Sequence, residues 1–102
     1  SKGMKEKVQI ALTLSRKAKI YLLDEPLSGI DPKSRKTVLA AIIENFDYEG
    51  ILLLSTHLIG EVERALDRVL FMDHGQLVVN ESVDDIREKH HMGVEEYFTE
   101  VI

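Results

Sequence analysis

The sequence predicts an α/β fold: a mostly parallel sheet flanked by helices, followed by a short C-terminal hairpin and tail helices. Apolar runs of strand length alternate with segments whose apolar residues recur at helical spacing. The runs Ile20–Leu23 and Ile51–Leu54 are unbroken, which is typical of parallel strands covered on both faces. Because the chain has 102 residues, we expect a single unit over residues 1–102.

The first half of the chain begins with a helix predicted over residues 4–17. Its helically spaced residues are Met4, Val8, Ala11, Leu12 and Ser15. The first strand stops before Pro26, which cannot donate a ladder hydrogen bond. A turn follows, and Asp31 and Pro32 provide the N-cap and the first residue of a helix predicted over residues 32–45.

In the second half, Gly50 precedes the second strand, and a helix is predicted over residues 58–66. Val69–Met72 and Leu77–Val79 are predicted as short strands. Asp73-His74-Gly75-Gln76 between them predicts a hairpin turn. Two tail helices are predicted over residues 82–89 and 94–101.

Composition limits the classes of partner and compartment. Thirteen basic and eighteen acidic side chains give a net charge of −5, which argues against nucleic acid as the main partner. The absence of cysteine excludes disulfides and thiolate metal sites. The apolar runs fall short of the ~18 residues of a membrane helix. The opening segment is amphipathic, so we expect no signal peptide and a cytoplasmic protein.

Two adjacent carboxylates, Asp24 and Glu25, follow the first strand. Ligands of open α/β sheets lie at the carboxyl ends of the strands, and Mg²⁺ prefers one or two carboxylates together with phosphate oxygens. The second carboxylate can then activate an attacking water. The alternative is purely structural: Asp24 caps a turn and Glu25 faces solvent.

Three further positions have a functional and a structural interpretation. His57 follows the second strand, where an imidazole could bind a phosphoryl group or be merely solvated. Ser1 at the start of the first helix suits either an N-cap or a phosphate site. Asp31 is explained by helix capping alone.

The order of these motifs carries a family resemblance. A Ser-x-Gly helix start precedes a strand ending in Asp-Glu-Pro, then Ser-Gly-Ile-Asp-Pro, then a strand ending in Ser-Thr-His. This set, from Ser1 to about Asn80, resembles the C-terminal half of the nucleotide-binding domain of ABC ATPases, a partial P-loop NTPase fold. The string from Asp24 to Pro32 is closer to transporter subunits than to chromosome-maintenance or repair ATPases.

The resemblance implies roles for three residues at the strand ends, with ATP and Mg²⁺ as the cofactors. Ile20–Glu25 is similar to the Walker B strand, which makes Asp24 the metal-binding residue. Glu25 corresponds to the catalytic carboxylate that polarises the hydrolytic water. His57 corresponds to the switch histidine that contacts the γ-phosphate.

The resemblance also implies binding roles at two loops. Ser28, Gly29 and Asp31 lie in a segment similar to the D-loop, which lines the dimer interface. Ser1, Lys2, Gly3 and Met4 resemble the signature motif, whose serine and glycine contact ATP held by the opposite subunit. Lys2 and Met4 depart from the usual Leu-Ser-Gly-Gly-Gln, and the leucine is absent.

The resemblance divides the chain into a signature helix (1–17), a region from Walker B past the switch histidine (20–80) and a helical tail (81–102). No Gly-x-x-x-x-Gly-Lys-Ser/Thr occurs, so we expect half a site that cannot bind or hydrolyse ATP alone. The implied partners are the N-terminal P-loop half of the domain, a second nucleotide-binding domain and a transmembrane permease at the inner face of the cell membrane. No nucleic acid is expected.

Ile20–Leu23 and Ile51–Leu54 are expected to pair and to leave the second strand with an open, apolar edge. Two alternatives remain at this stage. One is a segment of a soluble ABC ATPase that acts on nucleic acid or ribosomes. The other is a non-enzymatic interaction module whose open edge binds a partner strand.

Overall fold

A computed structural model describes residues 2–102, and the surroundings of side chains from residue 4 onward. The chain divides into two compact units, Ser1–Leu58 and Ile59–Ile102. The first contains α1 (Lys2–Leu14), β1 (Ile20–Asp24), α2 (Pro32–Asn45) and β2 (Ile51–Ser55). The second contains α3 (Ile59–Val62), a 3-10 turn (Glu63–Ala65), β3 (Arg68–Asp73), β4 (Gln76–Ser82), α4 (Val83–His90) and α5 (Val94–Val101).

The first unit is built on a parallel pair of strands. β1 and β2 are in register from the pair Ile20 and Ile51 to the pair Asp24 and Ser55, as expected. Gly50 allows β2 to begin close to the preceding chain, since a Cβ there would lie 2.7 Å from the Ala18 carbonyl oxygen. Because the strands run parallel and in register, their carboxyl ends meet at one edge.

The described residues cover one face of this sheet and not both. Tyr21 is buried, as are Ile10, Leu14, Leu27, Ile30, Val38, Ala41 and Ile42 in the same unit, where α1 packs against α2. The opposite face exposes side chains that are 48% to 67% accessible: Ile20, Leu22, Ile51 and Leu53. The expectation of strands covered on both faces is therefore wrong for the described residues, since these four apolar side chains are exposed.

The second unit is a hairpin covered by the two tail helices. β3 and β4 are antiparallel and their register shifts after Phe71, which leaves Val78 unpaired as a bulge. His74 and Gly75 both have positive φ, 49° and 75°, the backbone of a type I′ two-residue turn. The core contains Val69, Phe71, Val79, Val83, Ile86 and Val94, with Tyr97 and Phe98 packed against it.

Several element boundaries differ from the sequence prediction, and side-chain hydrogen bonds accompany two of the differences. α1 ends at Leu14 because the Tyr21 hydroxyl donates to the Arg16 carbonyl (2.6 Å) and accepts from the Ala18 N–H (3.1 Å), which holds that segment outside the helix. The helix expected over residues 58–66 is instead α3 followed by the 3-10 turn. There Glu63 Oε1 accepts from the Glu95 N–H at 3.0 Å and so caps α5.

Candidate functional site

The carboxyl edge of the β1–β2 pair collects four polar residues. Asp24 is the last residue of β1 and Glu25 follows it, while Ser55 is the last residue of β2 and His57 lies two positions beyond it. The parallel register places Asp24 opposite Ser55. The structure thus brings together Asp24, Glu25 and His57, and adds Ser55 to them.

Glu25 has an unusual backbone and a firmly held side chain. Its φ of 46° lies in the left-handed region, which costs a non-glycine residue about 1–2 kcal/mol. Its N–H donates to the Ser55 carbonyl oxygen at 2.8 Å, which continues the ladder past the end of β1. Its Oε1 accepts from the His57 backbone N–H at 3.0 Å and lies 2.8 Å from His57 Nδ1.

The second oxygen of this carboxylate, Oε2, is free to accept a hydrogen bond. Glu25 Oε2 is shielded from solvent and has no hydrogen-bond partner among the described residues. The Glu25 side chain is 34% exposed, and His57 beside it is 71% exposed. An acceptor oxygen that is buried without a partner is costly, so this position favours a bound water or ligand donor. The structural interpretation of Glu25 as a solvated carboxylate does not describe this geometry.

Ser55 is the residue that sequence reasoning missed. Its hydroxyl donates to Asp24 Oδ1 and accepts from the Glu25 N–H at 3.1 Å. A polar residue at the end of the second apolar run was the available signal, and the predicted strand pairing would have placed it at this edge. The exact strand register, which places Ser55 opposite Asp24, is visible only in the structure.

The loop after Glu25 contains the three predicted D-loop residues. The Ser28 N–H donates to the Glu25 carbonyl oxygen at 3.1 Å, and Gly29 adopts a φ of 75°. Asp31 Oδ2 accepts from the Ser34 N–H at 3.2 Å, which makes Asp31 the N-cap of α2. Hydrogen bonding from Ser34, side chain first and backbone second, lowers the pKa of the Asp31 carboxyl. Capping thus accounts for the position of Asp31 in this chain.

Three of the four predicted signature positions, Lys2, Gly3 and Met4, lie on α1. Ser1 lies outside the described residues, so its predicted N-cap role stays a prediction. Lys2 and Gly3 begin α1, and Met4 follows them with a side chain that is 69% exposed.

The side chains at the strand edge suit a hard cation whose remaining ligands are phosphate oxygens and water. Asp24, Glu25 and Ser55 offer oxygen atoms alone, which is the donor type that Mg²⁺ prefers. Among residues 2–102 no cluster of three or more His, Asp or Glu side chains could hold a metal by itself. A site for Mg²⁺ with phosphate oxygens fits this set, whereas a closed structural metal site does not. Within the same residues, no helix combines the length and apolar character that crossing a bilayer requires.

Comparison with known proteins gives consistent matches. The lantibiotic transport ATP-binding protein SrtF of Streptococcus pyogenes is 36% identical over 85 residues, which are 82% of this chain and 37% of that protein. The energy-coupling factor transporter ATP-binding protein EcfA2 of Clostridium perfringens is 32% identical over 84% of the chain and 30% of its own length. The methionine import ATP-binding protein MetN 1 of Bacillus cereus is 37% identical over 84% of the chain and 25% of its own length. No protein-family model matches.

A solved structure described as the ATP-binding subunit of an ABC transporter superposes on 99% of this chain and 43% of its own, with a TM-score of 0.72 and 32% identity. The chain spans little more than a third of SrtF and less of the other two relatives. Relatives and structural neighbour thus point to the same family. The chain belongs to the ATP-binding proteins of ABC transporters and corresponds to part of their ATPase domain.

Proposed function

We propose that this chain supplies the catalytic carboxylate, the metal-binding residue and the switch histidine of an ATP-hydrolysing ABC transporter subunit. The observation that carries the proposal is the Glu25 carboxylate, which is fixed through Oε1 by His57 and has a shielded, unpartnered Oε2. Such an oxygen can accept a hydrogen bond from the attacking water and take its proton.

Glu25 and His57 have complementary tasks in this proposal. His57 keeps the carboxylate from rotating, so Oε2 stays available for the water. In a protonated imidazole both ring nitrogens donate, so Nδ1 can hold Glu25 while Nε2 donates to an oxygen of the γ-phosphate. The high exposure of His57 leaves its ring accessible to such a ligand.

Asp24 would hold Mg²⁺ beside this pair. When bound with ATP, Mg²⁺ neutralises charge on the phosphate oxygens during transfer. Asp24 and Glu25 leave the same strand end in succession, so the metal-binding and water-activating groups are positioned by one hydrogen-bonded edge.

The remaining predicted site residues act at a subunit interface in this proposal. Ser1 and Gly3 contact the γ-phosphate of ATP held by the opposite subunit, and Lys2 and Met4 flank them. Ser28, Gly29 and Asp31 line the dimer interface. Leu27 and Ile30, both buried, support the loop shape that presents this segment.

The proposed partner within the domain is a P-loop segment, which this chain lacks. The exposed apolar face formed by Ile20, Leu22, Ile51 and Leu53 supports this, because covering it would remove about 25 cal/mol per Å² of unfavourable hydration. The assembled subunit would lie on the cytoplasmic face of a membrane, bound to a permease, and would not bind nucleic acid.

Hydrolysis of Mg·ATP by the chain, alone and with a separately produced P-loop segment, tests the proposal. We expect no turnover by the chain alone, and turnover in the mixture that Glu25→Gln lowers by about 10²-fold or more. Glu44→Gln, an exposed carboxylate on α2, is the matched control and should leave turnover unchanged.

Two outcomes contradict the proposal. Turnover in the mixture that survives Glu25→Gln would remove Glu25 from the chemistry. A mixture that forms a stable complex without any turnover would favour the non-enzymatic interaction module instead.

A further inference from the structure

We propose that Ser55 is a positioning residue for the metal-binding carboxylate, and that its hydroxyl sets the orientation of Asp24 toward a divalent cation. This inference rests on the proposed function, because it assumes that Asp24 binds the metal. Ser55 belongs to the Ser-Thr-His string at the end of β2, but the resemblance implies a role there for His57 and none for Ser55. The hydrogen bonds of Ser55 at the strand edge support this role.

The Ser55 hydroxyl connects the two acidic residues through a single atom. A serine hydroxyl has one donor hydrogen and two acceptor lone pairs. Here the Ser55 hydroxyl donates its hydrogen to Asp24 Oδ1, and the Ser55 Oγ accepts from the Glu25 N–H at 3.1 Å. Ser55 thus holds the side chain of Asp24 and the backbone of Glu25 at the same time.

Strand pairing does not require this hydroxyl. The Glu25 N–H also donates to the Ser55 carbonyl oxygen, at the shorter distance of 2.8 Å, and the β1–β2 register is formed by backbone groups. A residue without a hydroxyl would keep those bonds. Asp24 is the group that would lose its donor, so the effect of the hydroxyl falls on the carboxylate and not on the fold.

A carboxylate held through one oxygen has restricted rotation about its terminal torsion. When the other oxygen binds a cation, the carboxylate therefore loses less conformational freedom than an unrestrained side chain would. Residues that hydrogen-bond a metal ligand commonly change metal affinity or activity by about 10- to 100-fold. Because Ser55 is exposed, we expect the lower end of that range.

The test uses the assembled ATPase that contains this chain, with Mn²⁺ as the probe. Mn²⁺ affinity is measured by electron paramagnetic resonance in the presence of a non-hydrolysable ATP analogue. We expect Ser55→Ala to weaken Mn²⁺ binding by about 10-fold with no change in melting temperature. The separate variant Ser55→Thr keeps a hydroxyl and suits a strand, so it should bind Mn²⁺ with the wild-type affinity.

Thr13→Ala is the matched control, because it removes an exposed hydroxyl that is bonded to the Gln9 carbonyl oxygen within α1. It should leave Mn²⁺ affinity unchanged. Wild-type Mn²⁺ affinity in Ser55→Ala would overturn the inference, as would weakened Mn²⁺ binding by Ser55→Thr.

Asp24→Asn separates this inference from the proposed function. If Asp24→Asn weakens Mn²⁺ binding and Ser55→Ala does not, the positioning role is wrong and the metal-binding role of Asp24 stands. If neither substitution changes Mn²⁺ affinity, the proposed role of Asp24 is wrong, and the inference fails with it.

Discussion

Tyr21 holds the amino-terminal part of β1 to the chain that leads into it, so its hydroxyl offers a sharp test of the first unit. Tyr21 is 3% exposed and its ring packs edge-on against Phe46, with 6.1 Å between centroids. The hydroxyl makes two hydrogen bonds, to the carbonyl of Arg16 and from the N–H of Ala18. Tyr21→Phe removes both bonds and keeps the ring.

The magnitude follows from these two bonds. Each part-buried hydrogen bond contributes about 0.5–1.5 kcal/mol net, so Tyr21→Phe should lower the free energy of unfolding by about 2 kcal/mol. Tyr48→Phe is the matched control: Tyr48 is 71% exposed and its hydroxyl donates to the Ile43 carbonyl oxygen at 3.1 Å. Water can replace that bond, so the loss should stay below about 0.5 kcal/mol.

Urea unfolding followed by far-ultraviolet circular dichroism measures both variants, with unchanged denaturant slopes as the sign of an unchanged transition. In thermal melts, Tyr21→Phe should lower the melting temperature by about 8–15 °C. Equal losses in the two variants, or a loss below about 0.5 kcal/mol for Tyr21→Phe, would refute the argument that this hydroxyl ends α1 and anchors β1.

Two further predictions concern helix termini. Gly93→Ala would place a Cβ 2.6 Å from Glu63 Oε2 and displace the side chain that caps α5, so we expect a loss of about 1 kcal/mol in urea unfolding; the same cost in a Glu63→Ala background would show that the cap is not the cause. Asp31→Ser keeps a capping oxygen but does not titrate. Hydrogen bonding lowers the pKa of Asp31 in the folded protein. The ionised Asp31 side chain therefore stabilises the fold fully above the ordinary carboxyl pKa, and this stabilisation is lost as the pH falls through the lowered pKa. Melting temperatures of the two proteins should therefore be similar near about pH 7 and diverge below about pH 4 in favour of Asp31→Ser, and parallel curves would contradict this.

Local patterns in the sequence were sufficient for most elements. α2 and α5 have the predicted bounds because Asp31-Pro32 and the apolar spacing of the tail are local signals. The hairpin turn at His74 and Gly75 was also predicted, although β3 and β4 extend further than the apolar residues indicated. Strand ends are set by pairing, and Arg68 and Ser82 pair across the hairpin without being apolar.

In the candidate site, too, the residues were predicted from local patterns, whereas their contacts were not. Asp24, Glu25 and His57 were predicted at one edge because each follows or ends an apolar run, and parallel strands share a carboxyl edge. The bond from His57 to Glu25 Oε1, the shielded Oε2 and the contact of Ser55 with Asp24 were not predicted. They depend on the register of two strands that are far apart in sequence, and composition does not encode that register.

By itself, the sequence determined the α/β class, the order of its motifs and the chemistry at the strand ends, because helical spacing, strand-length runs and turn residues act over a few neighbours. Tertiary structure alone decided where α1 stops, which sheet face remains exposed and which hydroxyl meets Asp24. Those features arise where segments distant in the chain come into contact. A shift of one residue between β1 and β2 would remove Ser55 from Asp24 and leave the sequence pattern unchanged.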